Sequence, residues 1–343
     1  MRIWFNKTFS SIHSVLRNLR QADNQGNITL IISHFHDQVP GMAVADERYL
    51  EPADLSDEEY LEWTIRFCSQ HSIDLFWPGK AATLIAKNKS RFLAEGTQTV
   101  SVADAEILNL LNNKATFYQR LDEHIAIMPD SIAVNTLQEF DQAFAALRSK
   151  HPQLCVKPAV SVFGLGFRII DEDRPSISHL LKGVEYQIPL NELRFGMEQQ
   201  PCFDTLLVME YLPGHEWSVD CVADAGNLRH SVQRKKPLQS GFGQIFDDHP
   251  EIACMVERLT AHYRLNGLFN IQFKEGINGP RLLEINPRPS GGVGMACMSG
   301  VNLAAEALKI FQNQDIVWED KDASVAFGRR VSEINKPVIL ESA

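Results

Sequence analysis

The run Leu283-Glu284-Ile285-Asn286-Pro287-Arg288 sets a carboxylate, an amide and a guanidinium at alternate positions, a series suited to handling phosphate. Side chains alternate along a strand, so Glu284 and Asn286 share one face while Ile285 turns to a core. On the preceding strand-like run, Leu268 to Lys274, Gln272 shares a face with Asn270, and Asn278-Gly279 between the two runs suits a tight turn. Such a hairpin can gather Gln272, Glu284 and Asn286 as three oxygen donors. Mg²⁺ takes few protein ligands and completes its shell with water and substrate phosphates. With a single charged donor, the set should hold metal firmly only when a triphosphate brings its own oxygens. The ordinary alternative is a group of polar residues beside a turn that face solvent. The next residues weigh against it, because Pro287 and Pro289 fix the backbone so that Arg288 projects beside the metal position, where it suits a transferring phosphoryl group. Ser290-Gly291-Gly292-Val293-Gly294 could then expose backbone amides to a carboxylate or phosphate, although a glycine turn alone is unspecific.

Other residues carry weaker signals. Lys157 follows three strand residues and precedes Pro158, so its stem should be half-buried and its charge needs a partner. Lys114 falls in the first turn of an expected helix, where it opposes the macrodipole unless an anion is near; the alternative is a solvated surface lysine. Glu216, Ser218 and Asp220 share a strand face, and Glu216 and Asp220 have the plain reading of solvent-facing carboxylates. Arg234 and Lys235 end a strand that leads into Gln239 to Gly243. Either one of them reaches phosphates or substrate, or both are surface charges. His34 and His36 alternate at a strand end without a nearby Cys or third ligand, and read as loop-facing histidines. No local Ser/His/Asp or Cys/His signature offers a covalent nucleophile.

The elements that must position these residues read as α/β and α+β. At 343 residues the chain is long enough for two or three packed units. Its 44% hydrophobic and 22% charged residues are those of a soluble globular protein. A formal net charge of -10, with no basic cluster interleaved with aromatics, excludes a nucleic-acid track. No signal peptide or bilayer-length apolar run is evident, and the six cysteines lie in apolar segments without a C-x-x-C pair, the pattern of reduced, buried thiols in a cytoplasmic protein. Residues 1–112 alternate short strands with helices, among them Phe9 to Gln21, one opened by the Ser56/Glu59 capping box, and one running from Pro78-Gly79 to about Leu93. Residues 113–204 open with Asn113-Lys114, carry a second capping box at Thr136/Glu139, and form a hairpin around Ser161 to Gly166; 171–204 reads as short helices. Residues 205–343 hold β-runs at Leu206 to Met209, Glu216 to Val222 and Leu228 to Lys235, a helix near Glu251 to Arg264, the hairpin above, and a helix starting near Asn302.

The order Asn-Lys, Val-Lys-Pro with a glycine flap, Met-Glu-Tyr-Leu-Pro-Gly-His-Glu-Trp-Ser-Val-Asp, Asn-Ile-Gln-Phe and Leu-Glu-Ile-Asn-Pro-Arg resembles the ATP-grasp superfamily. The likeness is greatest to the branch of carbamoyl-phosphate synthetase large-subunit modules and carboxylate-amine ligases. It implies an N-terminal α/β domain (1–112), a small lobe with the flap (113–204) and a large lobe with the metal site (205–343), with ATP held between the lobes. It further implies that Lys114 and Lys157 contact ATP phosphates and that the flap, with Ser161, Gly164 and Gly166, closes over them. Backbone groups of Glu210, Tyr211 and Leu212 would meet adenine, and Glu216 the ribose. Gln272, Glu284 and Asn286 would hold Mg²⁺, with Mn²⁺ as an alternative ion, and Lys157 and Arg288 would offset charge during transfer. This flap has fewer glycines than many relatives, with bulky Phe163 and Leu165 beside Gly164. The implied reaction activates a small carboxylate as an acyl phosphate and joins it to an amine, releasing ADP and phosphate. Its rivals are phosphoryl transfer of the carbamoyl-phosphate type and a non-catalytic ATP-binding scaffold. A homodimer accords with the family; no membrane or nucleic-acid partner is implied.

Overall fold

Ile3 to Phe5 and Leu30 to Ile32 are too uniformly apolar for half-exposed strands, and both lie fully buried in the middle of a parallel sheet. The computed structural model describes residues 1–7, 11–37, 39–161, 164–175, 177, 186–238, 243–311 and 324–334. It divides into two compact units, Met1–Asn109 with His215–Phe273 and Glu284–Ala343, and Leu110–Gly214 with Lys274–Leu283.

The first sheet contains β1 (Arg2–Asn6), β2 (Thr29–His34), β3 (Glu47–Leu50), β4 (Leu75–Pro78) and β5 (Gln98–Thr99) in the order β3-β2-β1-β4-β5, all parallel. Alternation sends Ile3 and Phe5 to one face, where α1 (Ile12–Ala22) packs through Val15, Leu16 and Leu19. Trp4 goes to the other face, among Leu61 and Phe67 of α2 (Asp57–Gln70), Ile85 of α3 (Ala82–Lys87) and Phe92 of α4 (Lys89–Ala94). The Ser56/Glu59 capping box is formed. The expected helix from Phe9 begins at Ile12, and Phe9 lies outside the described residues. The single helix expected up to Leu93 is two, because Asn88 leaves helical geometry and donates its side-chain amide to Leu84 O. Helix α5 (Ala105–Asn112) follows. At the end of β4, Gly79 N donates to Asn6 Oδ1 at 2.8 Å, and a Cβ on Gly79 would stand 2.3 Å from Asn6 O. Gly79→Ala must therefore displace backbone, and is expected to cost about 1–3 kcal/mol, read as a lower midpoint in thermal or urea unfolding.

The second unit holds α6 (Lys114–Arg120), β6 (Ser131–Val134), α7 (Leu137–Arg148), β7 (Leu154–Pro158), β8 (Arg168–Asp171), β9 (Gln187–Pro189), α8 (Leu190–Glu198) and β10 (Leu206–Glu210). Its sheet runs β6-β10-β7-β8-β9, with β7 and β8 antiparallel as the hairpin reading requires. The Thr136/Glu139 capping box starts α7, whose Phe140, Ala143 and Leu147 pack with Val156 and Val208. The stretch read as short helices contains α8 but also strand β9; 176 and 178–185 lie outside the described residues.

Beyond residue 214 the chain forms β11 (Glu216–Asp224), β12 (Asn227–Lys235), β13 (Gln244–Asp247), α9 (Pro250–His262), β14 (Gly267–Gly276), β15 (Gly279–Asn286), α10 (Val293–Ala296), α11 (Leu303–Ile310) and β16 (Arg330–Val331), all in the first unit except Lys274–Leu283 of the β14–β15 hairpin, which count with the second. The sheet order is β15-β14-β11-β12-β13-β16. Val222, Val232, Leu268 and the buried face of α11 join α1 and the Ile3/Phe5 face in one hydrophobic core. Asn302 caps α11 and also donates to Asn18 O of α1 at 2.8 Å. Among the described residues no helix is long and apolar enough to cross a membrane. Of the six free cysteines, Cys202 and Cys254 are exposed, contrary to the buried-thiol expectation, because each falls on the solvent side of its segment. Burial pushes the Cys68 and Cys155 thiols up to about 12, which makes them poor nucleophiles.

Candidate active site

The β14–β15 hairpin forms as its sequence requires, with one difference. The turn residues are Ile277 and Asn278, and Gly279 opens β15 with φ 94°, a left-handed conformation that glycine adopts without strain. Beyond it, Glu284, Asn286 and Arg288 form a chain of contacts. Asn286 Nδ2 donates to Glu284 Oε1 at 3.0 Å, and Arg288 Nη2 approaches Asn286 Oδ1 at 3.4 Å. The tight Asn286–Arg288 turn is closed by Arg288 N donating to Asn286 O at 2.7 Å. Gln272 stands on adjacent β14, partly exposed, and no described hydrogen bond joins it to the other three. A carboxylate and two amide oxygens on neighbouring strands could hold a Mg²⁺ ion that arrives with phosphate.

Arg288 is partly withdrawn from water. Burial lowers its basicity, and the charges of Glu284 and Asp220 oppose that shift. With Phe5, Ile12, Val15, Trp77 and Pro289 it lines a recess of about 30 Å³. The guanidinium is thus held on an apolar floor beside a carboxylate, where a developing anion meets a weakly hydrated cation.

The residues that sequence reasoning left undecided are the most firmly tied. Arg234 is 1% exposed and Asp220 0% exposed, so neither is a surface charge and Asp220 is not a solvent-facing carboxylate. Ser218 lies opposite Arg234 in the β11–β12 register, which places Asp220 beside the guanidinium at 2.8 Å. Asn270 Nδ2 adds donors to Ser218 Oγ at 3.0 Å and Asp220 Oδ1 at 3.3 Å. The sequence cue was the shared face of Ser218, Asp220 and, across the strand pair, Arg234. Lys235 points the other way, 4.9 Å above the Trp217 ring and 3.9 Å from Asp247. Residues 239–242 of the following loop lie outside the described residues. Glu216 is partly exposed and pairs with Lys236.

In the second unit, Lys114 is 7% exposed, which removes the surface-lysine alternative. Asn113 caps α6 through Thr116 N at 3.1 Å, and Lys114 Nζ donates to Ser161 O at 2.9 Å, where the flap begins. Lys157 Nζ lies 3.2 Å from the Tyr118 hydroxyl, which itself donates to Leu283 O at 2.6 Å. In the flap, Gly164 and Gly166 have φ of 68° and 82°, and Leu165 is exposed; Val162 and Phe163 lie outside the described residues. The Glu210 carboxylate accepts from Asp130 N at 3.1 Å and lies 3.5 Å from His151, while Glu210 N donates to Asp130 O at 3.0 Å and Glu210 O accepts from Cys155 Sγ at 3.5 Å. Tyr211 N donates to Gln153 O, and Leu212 is buried. His34 is buried rather than loop-facing, and accepts from His36 N through Nδ1; burial and the nearby Lys80 lower its basicity. Among the described residues, no three His, Cys, Asp or Glu side chains are grouped to hold a metal.

Residues 202–337 match the family model "ATP-grasp in the biosynthetic pathway with Ter operon". Over 324 residues the chain is 25% identical to the arginine-specific carbamoyl phosphate synthase large chain of Geobacillus stearothermophilus, covering 90% of this chain and 28% of that one. The chain thus spans little more than a quarter of the length of that curated relative. The N5-carboxyaminoimidazole synthetase of Staphylococcus aureus, solved with ADP, superposes with a TM-score of 0.63 at 15% identity, covering 90% of this chain and 76% of that one. An L-amino acid ligase from Bacillus licheniformis gives 0.61 at 13%, covering 90% and 73%. The structural likenesses establish the fold, and the matched segment contains Glu284 and Asn286 at the end of β15 with Arg288 just beyond it. Residues 202–337 thus resemble an ATP-grasp family, and 90% of the chain shares the fold of these two solved structures.

Proposed function

We propose that the chain is an ATP-dependent ligase that activates a small-molecule carboxylate and joins it to an amine. The observation that carries this reading is the contact series from Glu284 through Asn286 to Arg288, a metal-type donor set ending in a half-buried cation. The names of the relatives support the class, since they include a ligase of amino acids and a carbamoyl phosphate synthase. Bound Mg-ATP would supply the phosphoryl group that converts a carboxylate to an acyl phosphate, releasing ADP; an amine nitrogen then bonds to the acyl carbon, the C–O bond to phosphate breaks, and phosphate leaves with the amide formed.

The chain's own residues divide that work. Glu284, Asn286 and Gln272 hold the metal; Mn²⁺ would accept the same oxygen donors. Arg288 and Lys157 offset charge as it moves to the leaving and attacking oxygens. Lys114 fixes the start of the flap through Ser161 and adds positive charge for phosphate. Gly164 and Gly166 let flap backbone approach the phosphates and exclude water, which would hydrolyse the activated carboxylate. The Glu210–Leu212 backbone receives adenine and Glu216 the ribose. We read 1–112, 113–204 and 205–343 as the functional segments of this machine.

The test is ADP release from Mg-ATP against pooled carboxylates and amines, with products followed by mass spectrometry. ADP release that needs both pools, with a condensed product, is the expected result. A phosphorylated carboxylate that accumulates without amine would replace ligation by phosphoryl transfer, and nucleotide binding without ADP release would point to a scaffold.

A further inference from the structure

We propose that Arg234 is a positioning residue that sets the turn from Ser290 to Gly292, and through it the backbone facing the terminal phosphate of the nucleotide. The proposal rests on the ATP reading above.

The guanidinium spends its donors on three separate segments. Nε and Nη2 reach Asp220 Oδ2 on β11 at 3.1 and 2.8 Å, with Nη2 also 3.0 Å from Ser218 Oγ. Nη1 donates to Gln244 on β13. The remaining contact leaves the sheet, as Nη2 donates to Ser290 Oγ at 2.9 Å. Ser290 lies two residues beyond Arg288, so the buried pair grips the segment directly after the proposed phosphate cation. A lysine could satisfy Asp220 but could not reach three segments at once.

The turn is shaped to accept this grip. A Cβ on Gly292 would stand 2.5 Å from Arg234 Nη1 and 2.9 Å from its Cζ, so only glycine allows the backbone to rest on the guanidinium. From the other side Gly294 presses on α1, where a Cβ would lie 2.7 Å from Ser14 Oγ. Between them, a Cβ on Gly291 would meet no described residue within 4 Å, so the middle of the turn is open with respect to them. The turn is clamped at both ends and open at its centre, a form suited to presenting backbone to an anion. Asp220, held by Arg234, is also one of the two charges felt by Arg288. Buried ion pairs often contribute little net stability against an apolar replacement. Geometry, rather than stability, is therefore the reason we assign to this one.

Arg234→Lys, Gly292→Ala and the double variant would be titrated calorimetrically with Mg-ADP and with Mg-AMPPNP, which carries a third phosphate. Gly292→Ala keeps the Arg234–Asp220 pair and so guards against misfolding in the arginine variant. Each single change is expected to weaken Mg-AMPPNP by about tenfold or more, the scale of lost hydrogen bonds to a charged group, with Mg-ADP altered by less than about threefold. The double variant should bind no worse than the weaker single, because both changes break one contact. Loss of both nucleotides in parallel would mean a general structural role and overturn the proposal. So would variants that bind both like the parent. If the parent binds neither nucleotide, the ATP reading itself fails and the proposal falls with it.

Discussion

Glu284→Ala is expected to abolish substrate-dependent ADP release, with kcat reduced by at least about 10²-fold, because it removes the one charged donor from the proposed metal set. Asn286 and Gln272 bring dipoles but no charge, so neither can replace it. The change also removes the acceptor for Asn286 Nδ2 at 3.0 Å, freeing the amide to rotate away from Arg288. Glu284→Gln separates the two effects, since it keeps the shape and an acceptor oxygen but not the charge. If charge is what matters, both variants lose turnover; steady-state ADP release across a Mg²⁺ titration would show it, and a Gln variant as active as the parent would contradict the assignment.

Arg288→Ala should lower kcat by about 10²–10³, the usual scale for removing a group aimed at developing charge, while Mg-ADP binding changes little. The guanidinium is held where burial already disfavours its charge, with Glu284 and Asp220 opposing that cost. A cation in this setting gains most when phosphoryl oxygens become more negative, which is a transition-state effect and not a ground-state one. Arg288→Lys should recover little, because Pro287 and Pro289 aim a planar fork and an ammonium cannot reproduce it. Comparing kcat with the Mg-ADP dissociation constant separates this from a binding defect; equal losses in both would mean that Arg288 merely binds nucleotide.

Much of this arrangement was legible in the sequence because local chemistry and local structure agreed. Both capping boxes formed where Ser56 and Thr136 announced them, and the hairpin arose from strand periodicity around a turn pair. Glu284, Asn286 and Arg288 lie on one short segment, so alternation alone placed them together. What resisted reading was set by distance along the chain. Nothing local to Arg234 reveals that Asp220, Gln244 and Ser290 converge on it, since that depends on strand register between β11, β12 and β13. A surface position stayed open as the alternative for Lys114 because its acceptor, Ser161 O, is 47 residues away. The break at Asn88 shows the opposite case, where one side-chain bond to local backbone overrode an otherwise helical pattern. Gly79 carries a reason visible only in three dimensions, the nearness of Asn6 O.

Activation of a carboxylate by phosphoryl transfer at the Glu284–Asn286–Arg288 site can be followed with ¹⁸O-labelled carboxylates. The parent protein would be incubated with Mg-ATP, the labelled carboxylate pool and the amine pool, and the released phosphate analysed by mass spectrometry. Phosphate carrying one ¹⁸O atom from the carboxylate, formed in step with ADP and absent with Glu284→Ala, is the expected result. Unlabelled phosphate released alongside ADP and condensed product would contradict it.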